Sequence, residues 1–152
     1  MENGHEFYME KCLQLGEKAL SAGNPPVGSL IVFGGRIIGE GVEAVKESGD
    51  ITNHAEIEAI RDALNKGFFE ELSWSILYTT HEPCIMCSYV IRQHKISQVV
   101  YGVAVEYIGG HTSSFKVLTS ENVPQWGRKP GITSGICRKE CEQLNFQFRN
   151  RR

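Results

Sequence analysis

An α/β fold with a mixed sheet covered by helices is the class this sequence predicts, and three observations predict it. β-rich runs alternate with helical patterns through the middle of the chain, an order that calls for right-handed crossovers between parallel strands. A glycine pair divides VGSLIVFGGRIIGEGV into two runs, so an antiparallel hairpin opens the sheet and makes it mixed. The 152 residues show no internal repeat, low-complexity segment or linker. That predicts one domain over 1–152, large enough to bury a core without staples.

Each element follows from local pattern. Phe7, Cys12, Leu13, Ala19 and Leu20 recur at a loosely helical spacing, and Gly23-Asn24-Pro25-Pro26 stops that helix. Residues 27–33 form a strand, Gly34-Gly35 turns it, and RIIGEGV returns. After Ser48-Gly49-Asp50, Thr52 or Asn53 caps a helix from about His54 to Asn65 that Gly67 ends. SILYTT (75–80) is a strand, CIMCSYVIRQH (84–94) a helix behind Pro83, and SQVVYGV (97–103) a further strand. A last helix covers about 134–148, while 112–131 carries no readable pattern.

Composition narrows the function classes. A net charge of −2 provides no general polyanion-binding field, although basic residues gather in GRKPG and the final FRNRR, where local nucleic-acid contact stays open. No apolar run approaches a membrane span, and the opening MENGHEFYMEKC lacks a secretory pattern. Five unevenly spaced cysteines are no disulfide framework. The expectation is a cytoplasmic protein in which clustered cysteines mean metal or catalysis.

Two clusters carry chemistry. HAEIEAI (54–60) places His54 and Glu56 at a helix start, where on their own they read as a solvated first turn. HEPCIMC (81–87) places Cys84 and Cys87 one turn apart at another helix start, where the helix dipole favours thiolates. A redox pair would explain the cysteines but not the His-x-Glu. A four-ligand structural zinc would need His54 plus a thiol such as Cys137 or Cys141, which read as buried helix-face residues. Three ligands with a water is the pattern of a catalytic zinc, and it gives Glu56 a use as the base beside that water.

H-A-E followed by P-C-x-x-C is the signature of zinc nucleobase deaminases. The sequence resembles the cytidine deaminase-like superfamily, in the branch of tRNA adenosine, guanine and fungal-type cytosine deaminases. PPVGSLIV, NHAEIEAI, LYTTHEPCIMCSYVI and VVYGV match that branch in order and spacing, and ITSGICRKECEQL resembles its C-terminal helix. The resemblance implies a three-layer α-β-α sandwich around a five-stranded mixed sheet, a homodimer, and a Zn2+ cofactor held by His54, Cys84 and Cys87. It also implies hydrolytic deamination. Water activated by zinc attacks the ring carbon bearing the exocyclic amine, Glu56 carries its proton to the ring nitrogen and then to the leaving group, and ammonia departs.

Two departures bear on the substrate. Relatives usually carry a substrate-contacting Asn where this chain has Glu43, and a carboxylate, if it faces the pocket, favours a donor-rich edge such as that of guanine. tRNA adenosine deaminases usually carry Lys-Thr-Gly-Ala where this chain has YIGG, which with the acidic charge weighs against tRNA. The expectation is therefore deamination of a free nucleobase or nucleoside, guanine-like or another amino-purine, with tRNA adenosine-to-inosine deamination as the alternative and a non-catalytic zinc scaffold as the second alternative. Pro26, Val27, Glu43, Tyr107 and His111 are the expected substrate contacts. His81 orients the turn, and His5 and His94 sit at the surface.

Overall fold

The computed structural model describes residues 3–151; Met1 and Glu2 of the acidic start and Arg152 of the basic tail lie outside the described residues. Helix α1 (His5–Ser21) leads into β1 (Gly28–Phe33) and β2 (Arg36–Val42), then α2 (Val45–Ser48) and α3 (Ala55–Asn65). Strand β3 (Ile76–His81), α4 (Ile85–Gln93), β4 (Gln98–Val103), β5 (Gly131–Thr133) and α5 (Arg138–Asn150) complete the chain. The strands lie in the order β2-β1-β3-β4-β5. β1 is antiparallel to both β2 and β3, whereas β3, β4 and β5 run parallel. This is the mixed five-stranded sheet that the sequence and its resemblance predicted.

Strand alternation divides the core in two. One face of the sheet buries Ile31, Ile38, Leu77, Val99 and Tyr101 against Ala59, Ile60 and Ala63 of α3 and Ile91 of α4. The other buries Leu30, Val32, Tyr78 and Val100 against Tyr8, Met9, Cys12 and Leu15 of α1. Helix α5 joins that second layer, with Leu144 reaching Gly16 of α1 and Cys141 reaching Gly102 of β4. The sandwich is three layers deep, α-β-α.

The differences from expectation have local causes. The buried stripe of α1 runs through Tyr8, Cys12, Leu15 and Ala19, the i, i+4, i+7, i+11 positions of one face, which leaves Phe7 exposed. Residues 131–133 pair with β4 as the fifth strand, so α5 begins at Arg138, later than the helical pattern implied. Cys137 precedes the helix in a left-handed conformation (φ 56°), so only Cys141 lies on a helix face. His5 is no free surface residue, because its Nδ1 meets the Tyr78 hydroxyl at 2.8 Å. His94 is half-buried, with Phe69 packed edge-on to it.

Helix α3 seats on β2 almost backbone to backbone. A Cβ at Gly41 would stand 1.9 Å from the Ala55 carbonyl oxygen, and one at Gly39 would stand 2.3 Å from that of Ala59. Small residues Ala55, Ala59 and Ala63 face those glycines at four-residue intervals. Gly41→Ala should therefore push the first turn of α3 off the sheet and lower unfolding stability by about 1–3 kcal/mol, measurable by urea denaturation.

Candidate active site

His54 is the N-cap of α3, with extended backbone (φ −72°, ψ 147°), and no side-chain hydrogen bond caps that helix. Neither Thr52 nor Asn53 is the cap, because Ala44 N–H bonds the Asn53 carbonyl oxygen at 3.0 Å and ties that stretch to the end of β2. The His54 ring is thereby free to turn toward α4. Its Nδ1 lies 3.5 Å from Sγ of Cys84 and 3.5 Å from Sγ of Cys87. Cys84 is the N-cap of α4, and Cys87 sits one turn in, fully buried. Tetrahedral zinc, with bonds of about 2.3 Å to sulfur and about 2.0 Å to nitrogen, holds such donors about 3.5 Å apart. The three atoms lie within 4.8 Å of one another, and this donor set fits Zn2+.

Acidic groups surround the cluster. Glu56 is 3% exposed, and burial pushes its carboxyl up to about 8. The Cys84 thiol is held down to about 4 by a hydrogen bond from the Cys87 thiol and then by His54. His54 is raised to about 9, first by its hydrogen bond with Cys84. Cys87 is raised by its bond to Cys84 and by burial. Glu43 turns inward and is 5% exposed. Burial raises its carboxyl, while the His54 charge and the amides of Val45 and Ala55 pull the other way.

Val27 and Pro26 lie next to Glu43, through the bond from Glu43 N–H to the Val27 carbonyl oxygen at 3.0 Å. Tyr107 stands in a left-handed backbone conformation (φ 68°), 81% exposed. The His111 ring turns to the Tyr101 hydroxyl, 2.8 Å from Nδ1.

Sequence reasoning passed over Glu82, which is 2% exposed. Its carboxylate accepts from the N–H groups of Val105 (2.9 Å), His111 (2.7 Å) and Thr112 (2.6 Å) and from the Thr112 hydroxyl (2.6 Å). Burial raises this carboxyl, but those donors outweigh it and hold it below its ordinary value. The one available signal was an acid directly before the P-C-x-x-C turn, with no cation near it in sequence.

The signature of the cytidine and deoxycytidylate deaminase zinc-binding region matches residues 2–103, more than half of the chain. The chain belongs to this zinc-dependent deaminase family. It is 37% identical over 150 residues to tRNA-specific adenosine deaminase 2 of Xenopus laevis, covering 93% of this chain and 83% of that protein. It is 33% identical over 143 residues to the tRNA-specific adenosine deaminase of Streptococcus pyogenes serotype M18 (strain MGAS8232), covering 93% and 87%. A solved structure from studies of A-to-I editing by tRNA:A34 deaminases at the wobble position of transfer RNA superposes with a TM-score of 0.82. It is 30% identical and covers 91% of this chain and 98% of that one.

These relatives overturn the expectation of a free nucleobase or nucleoside as substrate, and with it the weighing against tRNA as partner. The two residue differences behind that expectation do not outweigh a likeness that runs over most of the chain. Glu43 carries its carboxylate inward, where the His54 charge and the amides of Val45 and Ala55 act on it. YIGG keeps glycine at 109, where a Cβ would come within 2.4 Å of the Glu82 carboxylate. Among the described residues, no helix is long and apolar enough to cross a membrane.

His81, expected to orient the turn before Cys84, is bonded instead to Thr80 beside it and to Asn145 of α5. Its Nε2 donates to Asn145 Oδ1 at 2.7 Å, and its Nδ1 lies 2.9 Å from the Thr80 hydroxyl, an arrangement that suits the neutral ring. Burial lowers its pKa. The unfolded chain therefore takes up a proton that the folded ring resists, so this contribution to stability is complete above about pH 6.5 and is lost as pH falls through the lowered folded value. His81→Gln should flatten that acid limb in urea titrations between about pH 5 and pH 8.

Proposed function

We propose that this protein is a tRNA-specific adenosine deaminase that converts adenosine to inosine, with His54, Cys84 and Cys87 as the zinc ligands and Glu56 as the general acid/base. The observation that carries the reading is the donor set itself, 3.5 Å from imidazole to each thiol with a buried carboxyl alongside, in a chain similar to tRNA deaminases over most of its length. When bound, Zn2+ supplies Lewis-acid activation of the attacking water. Glu56 takes a proton from that water and delivers it to the ring nitrogen beside the reacting carbon. A second transfer goes to the departing amino nitrogen, so adenosine and water become inosine and ammonia.

The protein's own residues shape the cleft around that step. Pro26, Val27 and Glu43 form the wall on the β1–β2 side, and the loop with Tyr107 and His111 forms the other. The exposed Tyr107 ring suits stacking on an unpaired base beside the flipped adenosine. Cations for the RNA backbone gather where α2 meets the end of α5. Lys46 Nζ and the Arg151 guanidinium lie 5.6 Å and 4.1 Å from the centroid of the Phe148 ring. A local cluster of this kind binds phosphate whatever the net charge of the chain.

Ammonia release from an anticodon stem-loop with a wobble adenosine, beside free adenosine and guanine, tests the reading. Turnover of the RNA is expected, weakening with added salt through loss of phosphate contacts; turnover of a free base without the RNA refutes it. Glu56→Ala should keep zinc and lose at least about 100-fold in rate. Cys87→Ala should lose the metal, read by zinc stoichiometry; unchanged zinc would remove Cys87 from the ligand set.

A further inference from the structure

We infer that Glu82 is a positioning residue that locks the loop of residues 104–112 onto the metal-binding turn and so fixes one wall of the substrate cleft. The inference uses the tRNA deaminase reading only for its substrate readout. Glu82 is 2% exposed, and none of the ion pairs among the described residues includes it. Its charge is balanced by the loop alone: Val105 N–H and the Thr112 hydroxyl on Oε1, His111 N–H and Thr112 N–H on Oε2. These donors come from both ends of the loop, so one carboxylate closes it.

The loop is pressed onto the turn that carries Cys84. Ile85 N–H bonds the Ile108 carbonyl oxygen at 3.0 Å, Gly110 N–H bonds that of Pro83 at 2.8 Å, and Cys84 pairs with Gly109 as an antiparallel bridge. Such closeness requires residues without side chains. A Cβ at Gly109 would lie 2.4 Å from the Glu82 carboxylate, and one at Gly110 would lie 2.0 Å from the Ser88 hydroxyl. Beyond the loop, the buried Arg92 of α4 continues the same restraint. Its Nη1 donates to the carbonyl oxygens of Val117 (2.9 Å), Leu118 (3.1 Å) and Ser120 (2.9 Å). The excursion between β4 and β5 is thus held by two buried charges of opposite sign, each answered by backbone dipoles.

His54, Cys84 and Cys87 are seated by α3 and α4, so the loop can loosen while the donor set stays in place. Glu82→Gln replaces one acceptor oxygen by an NH2 group that meets donors, and Thr112→Val removes the hydroxyl bond alone. Both variants are compared with wild type in the full zinc-loaded chain. The readouts are amide hydrogen exchange at 105, 111 and 112, zinc stoichiometry, and kcat and KM on the anticodon stem-loop. For Glu82→Gln, exchange about 10-fold faster at those amides, unchanged zinc, and KM raised about 10-fold with kcat nearly unchanged are expected, with a smaller shift of the same sign in Thr112→Val. Unchanged exchange at the three amides overturns the inference. So does loss of zinc in Glu82→Gln with Thr112→Val indistinguishable from wild type, which would place the role of Glu82 at the metal turn. If the stem-loop is not a substrate, the function falls, and exchange with zinc content still decides the role of Glu82. Should Glu82→Gln fail to fold, the exchange and KM shifts of Thr112→Val decide it.

Discussion

Helix α3 brings His54 to the two thiols because β2 leaves room beneath it. Gly39 and Gly41 point no side chain at the helix, and Ala55, Ala59 and Ala63 point only methyl groups back. Larger residues on either surface would lift the helix by more than an ångström, and the 3.5 Å spacing between imidazole and thiols would open with it. The bond from Ala44 to Asn53 pins the incoming chain at the same point. Packing between two backbones therefore governs the donor geometry as directly as the donors themselves do.

The charge balance of the site follows from that convergence. Two thiols and the carboxyls of Glu43 and Glu56 are gathered around one imidazole, all withdrawn from water to differing degrees. Burial first, and then the Cys84 charge, raises both carboxyls, and the two sulfurs end with opposite shifts, one low and one high. A divalent cation with soft-ligand tolerance is the natural complement of such a group. The helix N-termini at Cys84 and His54 add positive potential where the thiolates sit.

The long excursion between β4 and β5 obeys different physics. It has no periodic apolar face, and it is ordered by long-range contacts: Glu82 and Arg92 bind its backbone, and Leu118 and Trp126 bury against the rest of the fold. Net charge proved equally uninformative about the partner, because it averages over a surface on which Lys46 and Arg151 are locally concentrated around Phe148. A whole-chain sum of −2 says little about a patch the size of a few phosphates.

The sequence by itself determined the elements whose code is local. Short β-rich runs marked the first four strands, the Gly34-Gly35 pair marked the hairpin, and the Cys84–Cys87 spacing marked two donors on one helical turn. It also placed His54 at the very start of α3 and Glu56 beside it, since residues that close must share the first turn. Only the tertiary structure decided the rest: β5 at 131–133, the left-handed Cys137, the inward carboxylate of Glu43, and the conformation of 104–120. The fifth strand and the 104–120 excursion depend on partners distant in sequence, and neither side-chain periodicity nor turn chemistry carries information about such a partner.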